Sequence, residues 1–214
     1  MRRRGVFITL EGGEGCGKST QLNLLAKLLE KQGVPFIATR EPGGSQGAEL
    51  LRDTILFSDV AFSARSEVLL HMAARADHVD QTIRPACEAG KLVLCDRYHH
   101  STIAYQGYGA GEGAADLLKF IEDARRLIAF EPDKTFLLDV PLQVATQRLA
   151  KRKGRTDRYE ARGAAFHDRV RQGFDKIQEQ EPERIERINA GGDADALSHI
   201  LFRKIMALRE GAVE

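Results

Sequence analysis

Eight consecutive residues carry the clearest chemistry in the chain. Gly12-Gly13-Glu14-Gly15-Cys16-Gly17-Lys18-Ser19 fits the pattern G-x-x-x-x-G-K-[ST]. Its glycines permit positive φ and a close backbone approach, so loop amides and the N-terminus of a following helix can point at phosphate oxygens. In this pattern Lys18 reaches the outer phosphates and the Ser19 hydroxyl serves Mg²⁺, with Thr20 beside it at the helix start. A nucleoside triphosphate, ATP in the first instance, is the ligand such a loop takes. The loop does not by itself distinguish a kinase from a switch NTPase or a motor. Cys16 lies at a helix N-terminus beside Lys18, a setting that lowers a thiol pKa. The alternative is a small residue filling a tight turn.

A second set of groups suits an acceptor. Arg40 closes an apolar run, where a guanidinium can grip a phosphate with two parallel bonds. Asp96 follows Leu92-Val93-Leu94-Cys95, and a carboxylate at the end of a buried strand is where phosphate-loop enzymes hold Mg²⁺ or its waters. Arg97 adjoins it, and a structural ion pair between the two is the plainer reading. Gln106 carries a donor and an acceptor on one amide. Arg148, Lys151, Arg152, Lys153, Arg155 and Arg158 crowd one stretch that Gly154 interrupts. A mobile basic segment of that kind, a lid at about 150–162, can close over a triphosphate and exclude water.

The elements that must position these groups follow from hydrophobic pattern. Val6–Glu11, Phe36–Thr39, Leu92–Cys95, Thr135–Val140 and the weaker Ile185–Asn189 read as strands. Helical stretches cover about Lys18–Gln32, Ala48–Phe57 and Ser66–Ala89. In the first, Leu22, Leu25, Ala26 and Leu29 recur on one face, and Gly33-Val34-Pro35 ends it. Continuous apolar strands separated by helices predict a parallel sheet covered on both faces, with ligands at the carboxyl ends of the strands. The fold class is α/β, a three-layer P-loop NTPase sandwich around five parallel strands. No Pro/Ser-rich linker divides the 214 residues, so residues 1–214 read as one domain.

Composition narrows the setting. A net charge of +1 gives no general pull toward nucleic acid or anionic membrane. No apolar run approaches a membrane span, and the one after Met1-Arg2-Arg3-Arg4 is too short for a signal peptide. Three cysteines, Cys16, Cys87 and Cys95, lack metal-ligand spacing. They read as reduced thiols, and the expected address is cytoplasmic.

Thr39-Arg40-Glu41-Pro42-Gly43-Gly44, Asp96-Arg97-Tyr98 and Ser101-Thr102-Ile103-Ala104-Tyr105-Gln106-Gly107 together resemble bacterial thymidylate kinases, from Val6 to about Ala190. This combination is far more specific than the phosphate loop alone. The resemblance implies transfer of the γ-phosphate of ATP·Mg²⁺ to dTMP by a homodimer. Another nucleoside monophosphate kinase, a deoxynucleoside kinase and a regulatory NTPase are the competing readings.

By that resemblance Arg40 and Arg97 contact the acceptor phosphate, and Glu41–Pro42 is a cis bond. Gln106, with Ser101 and Thr102, reads the thymine edge. Tyr105 crowds the 2′ position, Glu11 contacts the 3′-hydroxyl, and Arg52 and Arg75 complete the acceptor site. The plainer reading of both arginines is a salt-bridged helix residue. A family whose phosphate loop lacks a basic residue early on uses a cationic lid instead, and here Gly13, Glu14, Gly15 and Cys16 are all non-basic. Arg158, then Arg152, Lys153 and Arg155, are the catalytic lid candidates, and Gly191-Gly192 is the adenine neighbourhood. The family stacks a phenylalanine on thymine where this chain has His71. Protonation of His71 is then expected to weaken acceptor binding below about pH 6.5.

Overall fold

The structure, a computed structural model, describes residues 4–151 and 156–211. Five parallel strands form one sheet: β1 Phe7–Glu11, β2 Phe36–Arg40, β3 Leu92–Asp96, β4 Lys134–Asp139 and β5 Ile185–Asn189. Their order is β2-β3-β1-β4-β5. The central strand β1 is buried at every residue, which is why it reads as an unbroken apolar run rather than an alternating one.

Alternate side chains serve opposite faces. Ile8 and Leu10 pack with Leu25 and Leu29 of α1 (Lys18–Lys31) and with Leu201 and Ile205 of α9 (Ala194–Gly211). Phe7 points the other way, against Val79, Ile83 and Tyr98. On that second face Leu137 and Ile185 meet Phe166, Val170 and Phe174 of α8 (Ala164–Gln180). Each fully buried Leu, Ile or Phe contributes about 1.5–3 kcal/mol of transfer free energy, so both faces hold the sheet between helices.

The remaining helices are α2 Gln46–Phe57, α3 Ala64–His78, α4 Arg84–Glu88, α5 His99–Thr102, α6 Ala115–Ile128 and α7 Leu142–Lys151. Ser45 and Ser63 cap α2 and α3 with side-chain oxygens that accept from Ala48 N and Ser66 N. The stretch expected as one helix over Ser66–Ala89 is three pieces. After α3 the backbone widens into a π turn at Val79–Ile83 before α4. Pro85 lacks the N–H that would continue the α ladder, and Arg84 N instead donates to Val79 O. A second π segment, Ile103–Ala110, continues α5 and carries Tyr105 and Gln106.

Candidate functional site

All five strands point their carboxyl ends at one edge of the sheet, and the groups singled out above gather there. β1 ends at Glu11, and the loop that follows turns under α1. Gly12 at φ +136° and Gly15 at φ +73° are tightly packed: a Cβ would stand 2.4 Å from Leu138 O at the first and 2.6 Å from Ala145 O at the second. Gly17 caps α1 in the left-handed region with no side-chain bond to the helix amides. Those amides therefore remain available to an anion.

A cavity of about 600 Å³ opens in front of this loop. Gly15, Cys16, Gly17, Lys18, Ser19 and Thr20 line it from the loop side. The Lys18 ammonium lies 3.0 Å from Gly12 O and 2.9 Å from Gly13 O. Ser19 Oγ donates to Asp96 Oδ2 at 2.7 Å, so a hydroxyl and a carboxylate stand together as oxygen ligands of the kind Mg²⁺ takes beside phosphate. Asp96 and Arg40 face the same cavity. Arg40 is half exposed and bonds Glu49.

A smaller, deeper pocket of about 80 Å³ adjoins it. Pro42, His71, Arg75, Ser101, Thr102, Tyr105 and Gln106 line this pocket, and Glu14, Glu41, Arg52 and Arg97 line both. The Glu41–Pro42 peptide is cis. Arg97 sits at the junction in a left-handed backbone, φ 70°, a conformation that costs a non-glycine residue about 1–3 kcal/mol. Its guanidinium donates to Glu14 Oε1, Tyr105 Oη, Ser101 Oγ and Gly12 O. Burial works against its charge, but the carboxylates of Glu14, Asp96 and Glu11 outweigh burial and push the pKa further up. Burial also raises the Tyr105 phenol.

Arg75 is 4% exposed. It donates to Glu41 Oε2 at 2.7 Å and to Thr102 Oγ1 at 2.9 Å. Arg52 donates to Pro42 O at 2.6 Å, and burial, with Arg40 nearby, lowers its pKa. The structure brings both helix arginines to the smaller pocket, where the sequence left a salt-bridged surface arginine open.

Three residues have surroundings that differ from those expected of them. Glu11 lines neither cavity. It is fully buried, and its carboxylate accepts from Tyr98 N, Ser101 N and Ser101 Oγ. Burial raises its pKa. It ties β1 to the start of α5, and Glu14, in the loop, lines both cavities together with Glu41 and Asp157. Arg158 also lines neither. Its guanidinium donates to Ile55 O and Val60 O at the end of α2 and lies over Phe62.

His71 does not titrate near pH 6.5. Burial, reinforced by the charges of Arg75, Arg158 and Arg97, lowers its pKa to about 3. The acid weakening expected of it therefore has no group to act through. Arg152, Lys153 and Arg155 lie outside the described residues.

Two residues in the site carried no such assignment. Arg148, on α7, donates to Ala190 O at 3.0 Å and approaches Cys16 O at 3.4 Å. With Ala190 and Gly192 it walls the far end of the large cavity. Tyr159, which follows Arg158, lines the smaller pocket. The basic cluster was visible in sequence, but not that Arg148, among its described members, faces the large cavity. Cys16 is 2% exposed within the core, which fits a small residue filling a turn.

Outside this edge, His99, His100 and Glu181 bring ligand atoms within 4.8 Å of one another. Arg125 and Arg184 stand 3.1 and 3.4 Å from the Glu181 carboxylate, so two guanidinium charges already occupy the ground of a cation. No described helix is long and apolar enough to cross a membrane.

The chain is similar to known proteins. A family model described as thymidylate kinase matches residues 10–199. The thymidylate kinase of Gluconobacter oxydans strain 621H is 52% identical over 205 residues, covering 96% of each chain. That of Rhizorhabdus wittichii RW1 is 49% identical over 208 residues, covering 95% of this chain and 98% of its own. The crystal structure of thymidylate kinase from Ehrlichia chaffeensis superimposes with a TM-score of 0.73 at 33% identity, over 95% of this chain and 99% of that one. With the phosphate loop, the arginine-lined pocket beside it and relatives this similar over nearly the whole length, the chain belongs to the thymidylate kinase family.

Proposed function

We propose that this protein transfers the γ-phosphate of ATP to dTMP, forming dTDP and ADP, and that the two adjoining cavities are its donor and acceptor sites. The observation that carries the site assignment is the junction. Arg97, Arg52 and Glu14 line both cavities, so a phosphate held in each would meet there.

A phosphate oxygen of dTMP attacks the γ-phosphorus in line. The bond between that phosphorus and the β,γ-bridging oxygen breaks, and ADP leaves with the electron pair. The attacking group is already anionic, so no general base is needed. Lys18 and the α1 amides hold the donor phosphates, Arg97 draws the acceptor phosphate to the junction, and Arg148 borders the base of the nucleotide. Ser19 and Asp96 would hold Mg²⁺, which would supply charge neutralisation on the transferring group. Arg152, Lys153 and Arg155 are assigned to a lid that adds positive charge and excludes water. On the acceptor side Arg40 grips phosphate, Arg75 and Thr102 face the base, and Tyr105 stands against the sugar. A cytoplasmic address, from three unpaired buried cysteines, and a homodimer, from the family, complete the proposal.

The test is ADP release from ATP·Mg²⁺ with dTMP, dUMP, UMP, dCMP, dGMP, AMP and thymidine as acceptors. Strong turnover with dTMP, weak turnover with dUMP and little with the rest is the expected pattern. Turnover with a different monophosphate would discard the base-site assignments. ADP release independent of every acceptor would sink the transfer reading.

A further inference from the structure

Two residues far apart in sequence meet on one buried carboxylate. Glu67 Oε1, on α3, accepts from the Tyr159 hydroxyl and from Gln106 Nε2 at 3.2 Å. His71 Nε2 lies 3.0 Å from the same hydroxyl. Tyr159 gives its one proton to Glu67, so toward His71 it accepts, and the His71 ring carries its proton on Nε2. All four residues are buried.

The chemistry of Glu67 fixes the orientation of a neighbour. A carboxylate only accepts, so the end of the Gln106 amide that faces it is the nitrogen. The amide is planar, and its oxygen must point elsewhere. Among the described residues no hydrogen bond reaches Gln106 Oε1. Nor is that oxygen a buried orphan, so it is open to the pocket that Gln106 lines.

A donor stands one turn earlier on the same helical segment. Thr102 Oγ1 accepts from Arg75 Nη2, which leaves its own proton to give. A planar ring in this pocket meets the Gln106 acceptor and the Thr102 donor. The imide edge of thymine, a ring N–H beside a carbonyl, is complementary to that pattern. The matching edge of cytosine, a bare ring nitrogen beside an amino group, puts like against like. A buried polar group left facing a like group is costly, which makes this form of discrimination strong.

We propose that Glu67 is a positioning residue that sets which pyrimidine the pocket accepts, by holding the Gln106 amide with its oxygen toward the ring. The proposal rests on the acceptor-pocket reading given above. Glu67 touches no substrate in this account. It acts through Gln106, and Tyr159 covers it from the segment that follows the lid.

The test compares kcat and KM for dTMP and dCMP in the full-length protein, with the inhibition constant of dCMP where its turnover is too slow. The variants are Glu67→Gln and Gln106→Leu. Glu67→Gln lets the amide turn over, so the dTMP:dCMP ratio in kcat/KM should fall by at least about tenfold. The fall should come through KM, with kcat for dTMP within about threefold of wild type because the phosphate contacts are untouched. Gln106→Leu removes the oxygen itself and should lower the ratio by a similar factor. A merely structural Glu67 would lower Tm and weaken both acceptors in parallel, and an unchanged ratio in Glu67→Gln overturns the proposal. If Glu67→Gln does not fold, an unchanged ratio in Gln106→Leu overturns it alone. Wild-type protein that ignores dTMP and phosphorylates another acceptor defeats the underlying pocket reading instead, before any variant is made.

Discussion

The large cavity proposed for the donor and the smaller pocket proposed for the acceptor share a wall but are built differently. In front of α1 the loop contributes backbone: glycines at positive φ, uncapped helix amides, and carbonyls to which the Lys18 ammonium bonds. Only a few side chains add to it. The acceptor pocket is almost all side chain, and its polar groups are paired with one another. Arg75 bonds Glu41 and Thr102, Gln106 bonds Glu67, and Arg97 bonds Glu14 and Tyr105. A backbone-built site tolerates change in its surroundings and depends on single chemical groups. A site built of paired, buried side chains makes recognition and folding stability parts of the same network.

The sharpest contrast comes from one substitution on each side. Lys18→Ala should lower kcat by on the order of 10³-fold, about 4 kcal/mol in transition-state stabilisation. Stability and the dissociation constant of dTMP should stay within about threefold, because the acceptor network does not include Lys18. Calorimetry showing dTMP binding lost with Lys18 would mean that the two sites are not separable in this way.

On the acceptor side the same kind of change should unfold the protein before it slows it. Arg75 and Glu41 are each 4% exposed in the side chain, and Glu41 also accepts from His78 Nδ1. Glu41→Gln leaves a buried guanidinium without its counter-charge, a loss of about 3 kcal/mol or somewhat more. Urea denaturation of the variant measures it. A change below about 1 kcal/mol would show that the pair is solvated and that the pocket is less interdependent than its bonds indicate.

The smallest effect expected is a pH dependence from His71. In the unfolded chain its ring takes a proton near pH 6.5, and in the folded protein only near pH 3. Between those values the unfolded state binds the extra proton, so folding stability falls as the pH drops from 6.5. The slope approaches about 1.4 kcal/mol per pH unit. His71→Phe should be less acid-sensitive by that increment between pH 6.5 and 5, in unfolding curves recorded side by side. The acid limb of the dTMP KM profile should be the same for both proteins, since His71 stays neutral throughout. Parallel unfolding slopes would mean that His71 is not buried in solution as it is here.

The same division separates what was legible beforehand from what was not. Five strands could be read because β1, β3 and β4 lie in the middle of a sheet covered on both faces and so carry unbroken apolar runs. β5 is an edge strand with mixed burial, and its run is correspondingly weaker. The π turn at Val79–Ile83 has a local cause, Pro85, but nothing local says that the helix resumes after it. Among the site residues, Lys18, Ser19, Asp96 and Arg97 stand where their strand ends put them. Glu11 and Glu14 lie three residues apart on either side of a turn. Which carboxylate faces the cavity depends on how that turn leaves the sheet. Arg148 and Arg158 belong to one basic stretch, yet one faces the large cavity and the other seats on α2.

Sequence by itself determined the phosphate loop, the parallel sheet and the family, because each depends on short-range pattern: glycine spacing, strand period and a few contiguous motifs. Tertiary structure alone decided the partners. Burial took His71 out of the physiological titration range, and Glu11 was drawn into the core by the amides of Tyr98 and Ser101. Tyr159 and Gln106, 53 residues apart by their numbers, were brought to one carboxylate. Pairings of that kind rest on which side chains share a low-dielectric space after the chain has folded, and adjacency in three dimensions leaves no periodic trace along the chain.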